Sequence, residues 1–133
     1  MDEESLLNEK SQEMKKMAEV KYELAHVGLN GKDPEEAAAI AGLFAAVFGL
    51  PVKAGNSSVF AGTAVEVMKT PYRGKLGHIG MATPDCEAAV KDLEERGYAV
   101  DMSTAKYKPD GTLNAVYLRD EIGGFAVHIV RKA

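Results

Sequence analysis

The chain contains three histidines, His26, His78 and His128, and they occupy matching places in two halves of one repeated pattern. The first half opens on Ala25-His26-Val27-Gly28-Leu29 and closes on Gly62-Thr63-Ala64-Val65-Glu66-Val67-Met68. The second opens on Gly77-His78-Ile79-Gly80-Met81 and closes on Gly124-Phe125-Ala126-Val127-His128-Ile129-Val130. His26 matches His78, and Glu66 matches His128. Folding the halves together, or pairing them between subunits, would gather three imidazoles and one carboxylate. That donor set suits a divalent ion such as Zn, Ni, Co, Mn or Fe.

Strand periodicity places these groups on shared faces. Ala64, Glu66 and Met68 fall on one side of their run, with Val65 and Val67 on the other; Ala126, His128 and Val130 repeat the arrangement. A carboxylate on such a half-buried strand is costly to desolvate unless a cation or hydrogen-bond donors compensate. Gly28 and Gly80 follow their histidines by two residues, on the same face. A missing side chain there leaves room for a ligand or for a second strand. One strand histidine is more often a satisfied core or interface group than a ligand; three at equivalent positions point to a common role.

The elements that must position these residues follow from the same pattern. Around His26 the run from Tyr22 reads as a strand. Asp33-Pro34-Glu35-Glu36 reads as a helix start, with Asp33 as cap, Pro34 in the first helical position and Glu36 completing a capping box. Ile40, Leu43, Phe44, Val47 and Phe48 then form the expected buried stripe, Gly49 ends the helix, and three short extended runs lead to Lys69. In the second half a strand from Leu76 to Ala82 carries His78. Thr83-Pro84-Asp85 repeats the cap-then-proline start, and Cys86, Ala89, Val90 and Leu93 form a stripe that Gly97 ends. Extended runs follow near Val100–Tyr107, Leu113–Arg119 and Phe125–Arg131, separated by turns at Lys108-Pro109-Asp110-Gly111 and Glu121-Ile122-Gly123-Gly124. The order is βαβββ twice, an α+β class with two modules in tandem forming curved sheets around a cleft. The modules span about residues 22–70 and 75–131 within a domain over 21–133. Residues 1–20 read as an amphipathic helix outside the repeat, with Leu6, Leu7, Met14, Met17 and Ala18 on one stripe, serving as a frayed arm or as a partner-docking helix.

Bulk properties bound the function. A length of 133 residues fits one domain, and 46% hydrophobic with 27% charged residues is a globular balance. A net charge of -4 gives no reason to expect nucleic acid or an anionic membrane as partner. No apolar run approaches the roughly 20 residues that span a bilayer, and the acidic Met1–Ser5 start has no signal-peptide core. Cys86 is the single cysteine, so no internal disulfide can form, and a reducing cytoplasm is the expected location. On its helical stripe Cys86 reads as a small buried hydrophobe.

The paired βαβββ order, the His-x-Gly starts at His26 and His78, and the closing Glu66 and His128 together resemble the vicinal oxygen chelate superfamily, which includes glyoxalase I, extradiol dioxygenases, methylmalonyl-CoA epimerase and fosfomycin-resistance proteins. The resemblance covers about residues 22–131. It implies that His26, Glu66, His78 and His128 are metal ligands in a cleft between two modules, often drawn from different subunits. Bacterial glyoxalase I carries a carboxylate at the final position, where this chain has His128, so only Glu66 is left for proton transfer. A second stretch, Gly55-Asn56-Ser57-Ser58-Val59-Phe60-Ala61-Gly62-Thr63 with Glu66-Val67-Met68-Lys69 and Pro71-Tyr72, resembles the C-terminal module of some bacterial 2-keto-3-deoxy-6-phosphogluconate/4-hydroxy-2-oxoglutarate aldolases. The aldolase barrel itself does not fit in 133 residues. What that similarity implies is a setting near 2-keto sugar-acid metabolism.

The expectation is therefore a metal-dependent enzyme, a lyase or isomerase of the glyoxalase type, acting on a small oxygen-rich anionic metabolite through a metal-stabilised enediolate, with Glu66 as base. Lys69, Arg73 and Lys75 crowd the loop before His78 and could hold a carboxylate or phosphate, or form a solvated basic surface. Asn56, Ser57 and Ser58 could meet substrate hydroxyls, with a turn role for Asn56 as the alternative. A homodimer is expected because an open sheet edge is usually paired or covered. The competing class is a non-catalytic metabolite-binding or regulatory module associated with a sugar-acid aldolase.

Overall fold

The computed structural model describes residues 2–9 and 20–132. Residues 3–9 form a helix (α1) whose side chains are all exposed, and Met14, Met17 and Ala18 of the expected N-terminal stripe lie outside the described residues. Two βαβββ units follow. The first runs β1 (Glu23–Asn30), α2 (Pro34–Phe48), β2 (Val52–Ala54), β3 (Ser58–Ala61) and β4 (Val65–Met68). The second runs β5 (Gly77–Thr83), α3 (Cys86–Glu95), β6 (Val100–Tyr107), β7 (Leu113–Leu118) and β8 (Phe125–Arg131).

The eight strands make one curved, unclosed sheet in the order β2-β3-β4-β1-β5-β8-β7-β6. Each unit ends by laying its last strand parallel to its first: β4 beside β1, and β8 beside β5. The units meet where β1 and β5 run antiparallel, with Val27 opposite Ile79 and the two His-x-Gly motifs crossing at that point. His26 stands opposite Gly80, and Gly28 opposite His78.

Both helices cover the same side of the sheet as two small cores. Ala37 and Ala41 of α2 pack on Val59, Ala61 and Val67. Cys86, Ala89 and Leu93 of α3 pack on Leu113, Val116 and Ile129. Alternation then decides where the chemistry goes: Val67 and Ile129 face the helices, so their neighbours Glu66 and His128 face the opposite side. Full burial of a Val or Ile stabilises by about 1.5–3 kcal/mol, and a one-residue slip of β4 or β8 would exchange these roles at that cost.

Local chemistry sets the helix ends. Asp33 caps α2 by accepting Glu36 N–H at 2.8 Å, and Gly49 closes it in the left-handed region at φ 71°. The reciprocal half of the capping box reaches one residue further back than expected, because Glu36 accepts the N–H of Lys32 at 3.1 Å. On α3 the cap is Asp85, which accepts Ala88 N–H at 3.0 Å, and not Thr83 as the cap-then-proline reading required. Thr83 is the last residue of β5, with its hydroxyl fully buried. The α2 stripe also needs correction. Ala37 and Ala41 are buried and Ile40 and Phe44 partly so, whereas Leu43, Val47 and Phe48 are exposed. α2 is apolar on nearly every side, so its larger residues do not mark the packed face; the sheet takes the alanines, which permit close approach.

Candidate metal and substrate site

The two central strands bring the histidines together by reciprocal packing. His78 lies over the bare α-carbon of Gly28, and a Cβ built there would overlap the far atoms of the His78 ring. His26 lies over Gly80 in the same way, where a Cβ would stand 2.8 Å from both ring nitrogens. The space that each glycine leaves is thus filled by the other module's imidazole. The outer pair of groups arrives beside the same glycines, Glu66 in register with Gly28 and His128 in register with Gly80.

The result is one compact cluster within a single chain. The three imidazole rings stand mutually edge to face, with centroids 5.1–5.3 Å apart. Nε2 of His128 is 3.0 Å from Nε2 of His26. Oε1 of Glu66 is 3.0 Å from Nε2 of His78 and 3.5 Å from Nε2 of His26. The other Glu66 oxygen accepts the hydroxyl of buried Ser58 at 2.7 Å. His26, His78 and His128 offer ligand atoms all within 4.8 Å of one another and could hold a metal ion.

The electrostatics favour neutral His26 and His128 beside an ionised Glu66. Burial pushes His128 down to about 3, and the neighbouring His26 and His78 push the same way. Burial also lowers His26, with Glu66 opposing and His78 adding to the shift. Burial alone would raise Glu66, but hydrogen bonds from His78 and Ser58 outweigh it and hold the carboxyl below its usual range. His78 is 2% exposed, and its Nδ1 has no partner among the described residues. Its Nε2–H therefore serves Glu66 when no ion is present. A neutral His26 and His128 and an ionised Glu66 are in the protonation states that ligation requires, and with His78 beside them the donor set fits a borderline divalent ion.

Glu66, His78 and His128 form part of the wall of a cavity of about 450 Å³, lined also by Ser57, Met68, Thr70, Tyr72, Thr104, Lys106, Ala115 and Tyr117; His26 stands behind them and is not among the lining residues. Tyr117 stacks on His128 at 4.7 Å between centroids and 18° between planes, and burial raises its phenol. Tyr72 meets His78 edge-on at 6.1 Å. Of the polar groups expected from the sequence, Ser57 lines this cavity and Ser58 anchors Glu66. Asn56 is exposed on a bend. Lys69 donates its ammonium to Gly55 O at 2.8 Å, and the exposed Arg73 lies over the Tyr117 ring, 5.0 Å from its centroid. Lys75 is exposed. None of Asn56, Lys69, Arg73 and Lys75 is among the lining residues.

The sequence pattern does not single out Thr70, Thr104, Lys106 or Tyr117, and it marks Tyr72 only within the aldolase-like stretch. Tyr117 was legible in principle, since it shares strand parity with Ala115 on the strand preceding His128. Lys106 was not, for a reason of register described below.

No family model matches the chain, and no curated protein does. Solved structures do. Methylmalonyl-CoA epimerase of Streptomyces coelicolor, in complex with 2-nitronate-propionyl-CoA, superposes with a TM-score of 0.57 at 17% identity, covering 84% of this chain and 94% of that one. The hypothetical protein BH1468 of Bacillus halodurans gives 0.60 at 12% identity, over 85% and 96%. The chain has the vicinal oxygen chelate fold. Methylmalonyl-CoA epimerase of Mycobacterium tuberculosis shares that fold with this chain at a TM-score of 0.56 and 14% identity, over 83% and 87%. The vicinal oxygen chelate architecture seen here joins its two modules through β1 and β5 of one chain, so all four candidate ligands come from one protomer.

Proposed function

We propose that the chain is a metal-dependent enzyme that moves a proton next to a carbonyl or hydroxyl of a small oxygen-rich acid, a 2-keto sugar acid among the candidates. The observation that carries this reading is the convergence of His26, Glu66, His78 and His128 from four strands into one cluster, three of whose members, Glu66, His78 and His128, line a cavity. His26, His78, His128 and Glu66 would hold the ion, which when bound supplies Lewis-acid stabilisation of a developing oxyanion. The neighbours named methylmalonyl-CoA epimerase support a reaction of this class, because epimerising such a centre requires removing a proton beside a carbonyl.

The protein's own groups have separable roles. Ser58 fixes one oxygen of Glu66, and the other faces Nε2 of His78 and of His26, where it would ligate the ion or, on release, accept a proton. Tyr117 stacks on His128 and holds that ring in plane. Tyr72 and Tyr117 wall the cavity with rings that limit water, and their hydroxyls, with those of Ser57 and Thr70, offer donors and acceptors to substrate oxygens. A homodimer and a cytoplasmic setting complete the reading; among the described residues no helix is long and apolar enough to cross a membrane.

One observation favours a second reading, a metabolite-binding or regulatory module associated with a sugar-acid aldolase. A carboxylate held below its usual range is a weak base, and the aldolase similarity of the Gly55–Tyr72 stretch rests on sequence alone. Metal analysis of the purified protein, followed by calorimetry of 2-oxobutyrate against metal-loaded and stripped forms, separates the two. The enzyme reading expects stoichiometric metal and tighter binding when loaded. Equal affinity in both forms gives the site to the regulatory reading.

A further inference from the structure

Lys106 reaches the cavity because β6 is irregular. From Asp101 to Lys106 β6 runs five residues, while its partner β7 runs two, from Tyr117 to Ala115. The excess of three is odd. In a regular strand Asp101 and Lys106 would stand on opposite faces. The bulge returns Lys106 to the face that carries Ala115, Tyr117 and, one strand further, His128. Thr104 secures it: its hydroxyl donates to Asp101 O at 2.7 Å and accepts the Tyr117 N–H at 2.8 Å, so an amide that loses its ladder partner stays satisfied. Ala105 packs the other way, against the core under α3.

Among the described residues, Lys106 is the one cation lining the cavity. It takes part in no ion pair among the described residues. The other charged lining group, Glu66, is already engaged by Ser58 and His78. We propose, resting on the metal-enzyme reading, that the substrate is a small dicarboxylate-type acid. Adjacent oxygens at one end face the histidine cluster, and a separate carboxylate at the other end is bound by Lys106. A single flexible ammonium suits a carboxylate of one charge. A phosphate dianion typically recruits an arginine fork or a helix N-terminus, and neither lines this cavity among the described residues. Lys106 is therefore a specificity-determining residue.

Calorimetry on the full chain tests this, with wild type, Lys106→Gln and Lys106→Arg, each metal-loaded and stripped. The probes are 2-oxoglutarate, its distal amide 2-oxoglutaramate, the monocarboxylate 2-oxobutyrate, and 3-phosphoglycerate. Wild type is expected to bind 2-oxoglutarate at least about tenfold tighter than the distal amide, the scale of one charge-assisted contact. K106Q should bring the two within about twofold, K106R should keep most of the preference, and 2-oxobutyrate should bind all three proteins alike. A preference unchanged in K106Q, a preference absent from wild type, or no binding of any probe to wild type overturns the proposal. Tighter binding of 3-phosphoglycerate than of 2-oxoglutarate overturns the carboxylate assignment. Affinities that ignore the metal count against the metal-enzyme reading, while the Lys106-dependent ratio is read separately.

Discussion

Gly28 and His78 face each other across the antiparallel β1–β5 pair, and the imidazole fills the space above the glycine. A methyl group on Gly28 would occupy the same space as the ring, and His78 is almost fully buried, so it has no free direction of retreat. Gly28→Ala is expected to destabilise by about 1–3 kcal/mol, the usual cost of overpacking, and to lower metal content by displacing His78 from Glu66. Gly80→Ala should act in the same direction on the half-buried His26. Urea melts and metal analysis of both variants check this. A G28A protein with wild-type stability and metal content would show that the ring has room that the packing denies.

Single Ala replacements of His26, His78 and His128 are each expected to reduce bound metal sharply, with the fold retained. Deleting one ligand leaves the two cores under α2 and α3 untouched. Glu66→Gln should keep some metal, since an amide oxygen can ligate, but lose most turnover because it cannot take up a proton. Ser58→Ala is the subtler probe: freeing the second Glu66 oxygen removes one of the bonds that hold its pKa down and should raise the carboxyl toward its ordinary value. Metal stoichiometry across the variants, and an NMR titration of Glu66 in S58A, decide the matter. Unchanged metal in H26A, H78A, H128A and E66A alike would remove the metal site.

What was legible in the sequence was whatever depended on spacing alone. His26 and His78 each precede a glycine by two residues, and Glu66 and His128 sit at equivalent strand positions, so spacing alone groups these four residues. The crossing of the motifs was not legible, because it depends on β1 and β5 pairing antiparallel about Val27 and Ile79. Packing choices were also hidden. Leu43, Val47 and Phe48 have the spacing of a core stripe, yet Ala37 and Ala41 take the sheet. Lys106 was invisible for a third reason: parity counted from Asp101 places it on the wrong face, and only the bulge held by Thr104 corrects it.

The buried histidines make the metal-free protein acid-sensitive. Burial pushes His128 down from its ordinary 6.5 to about 3 in the fold, and His26 is lowered in the same sense. Above the unfolded value both states are neutral at these rings, so the full stability is present. As pH falls below about 6.5 the unfolded chain takes up protons that the fold refuses, and stability declines until the folded values are reached. The slope is at most about 1.4 kcal/mol per pH unit for each histidine. Urea melts of stripped wild type and His128→Gln between pH 7.5 and 4 check it, the variant being expected to show the shallower dependence. Parallel pH profiles for the two proteins would mean that His128 is protonated in the fold as readily as in the open chain.

The oligomeric state follows from surfaces the site does not use. Leu43, Val47 and Phe48 are each more than 60% exposed along α2, and Val52 on the adjacent edge strand β2 is 51% exposed. Apolar residues grouped beside an unpaired strand edge mark an association surface, and closed two-fold symmetry is its common outcome. A homodimer is therefore expected in sedimentation at micromolar concentration. The doubly substituted Leu43→Ser, Phe48→Ser protein is expected to sediment as a monomer. Because His26, Glu66, His78 and His128 all belong to one protomer, that monomer should bind metal at the wild-type ratio. Loss of metal on dissociation would mean that the second protomer completes the site. A wild-type monomer at these concentrations would leave the α2 face without a self-association role.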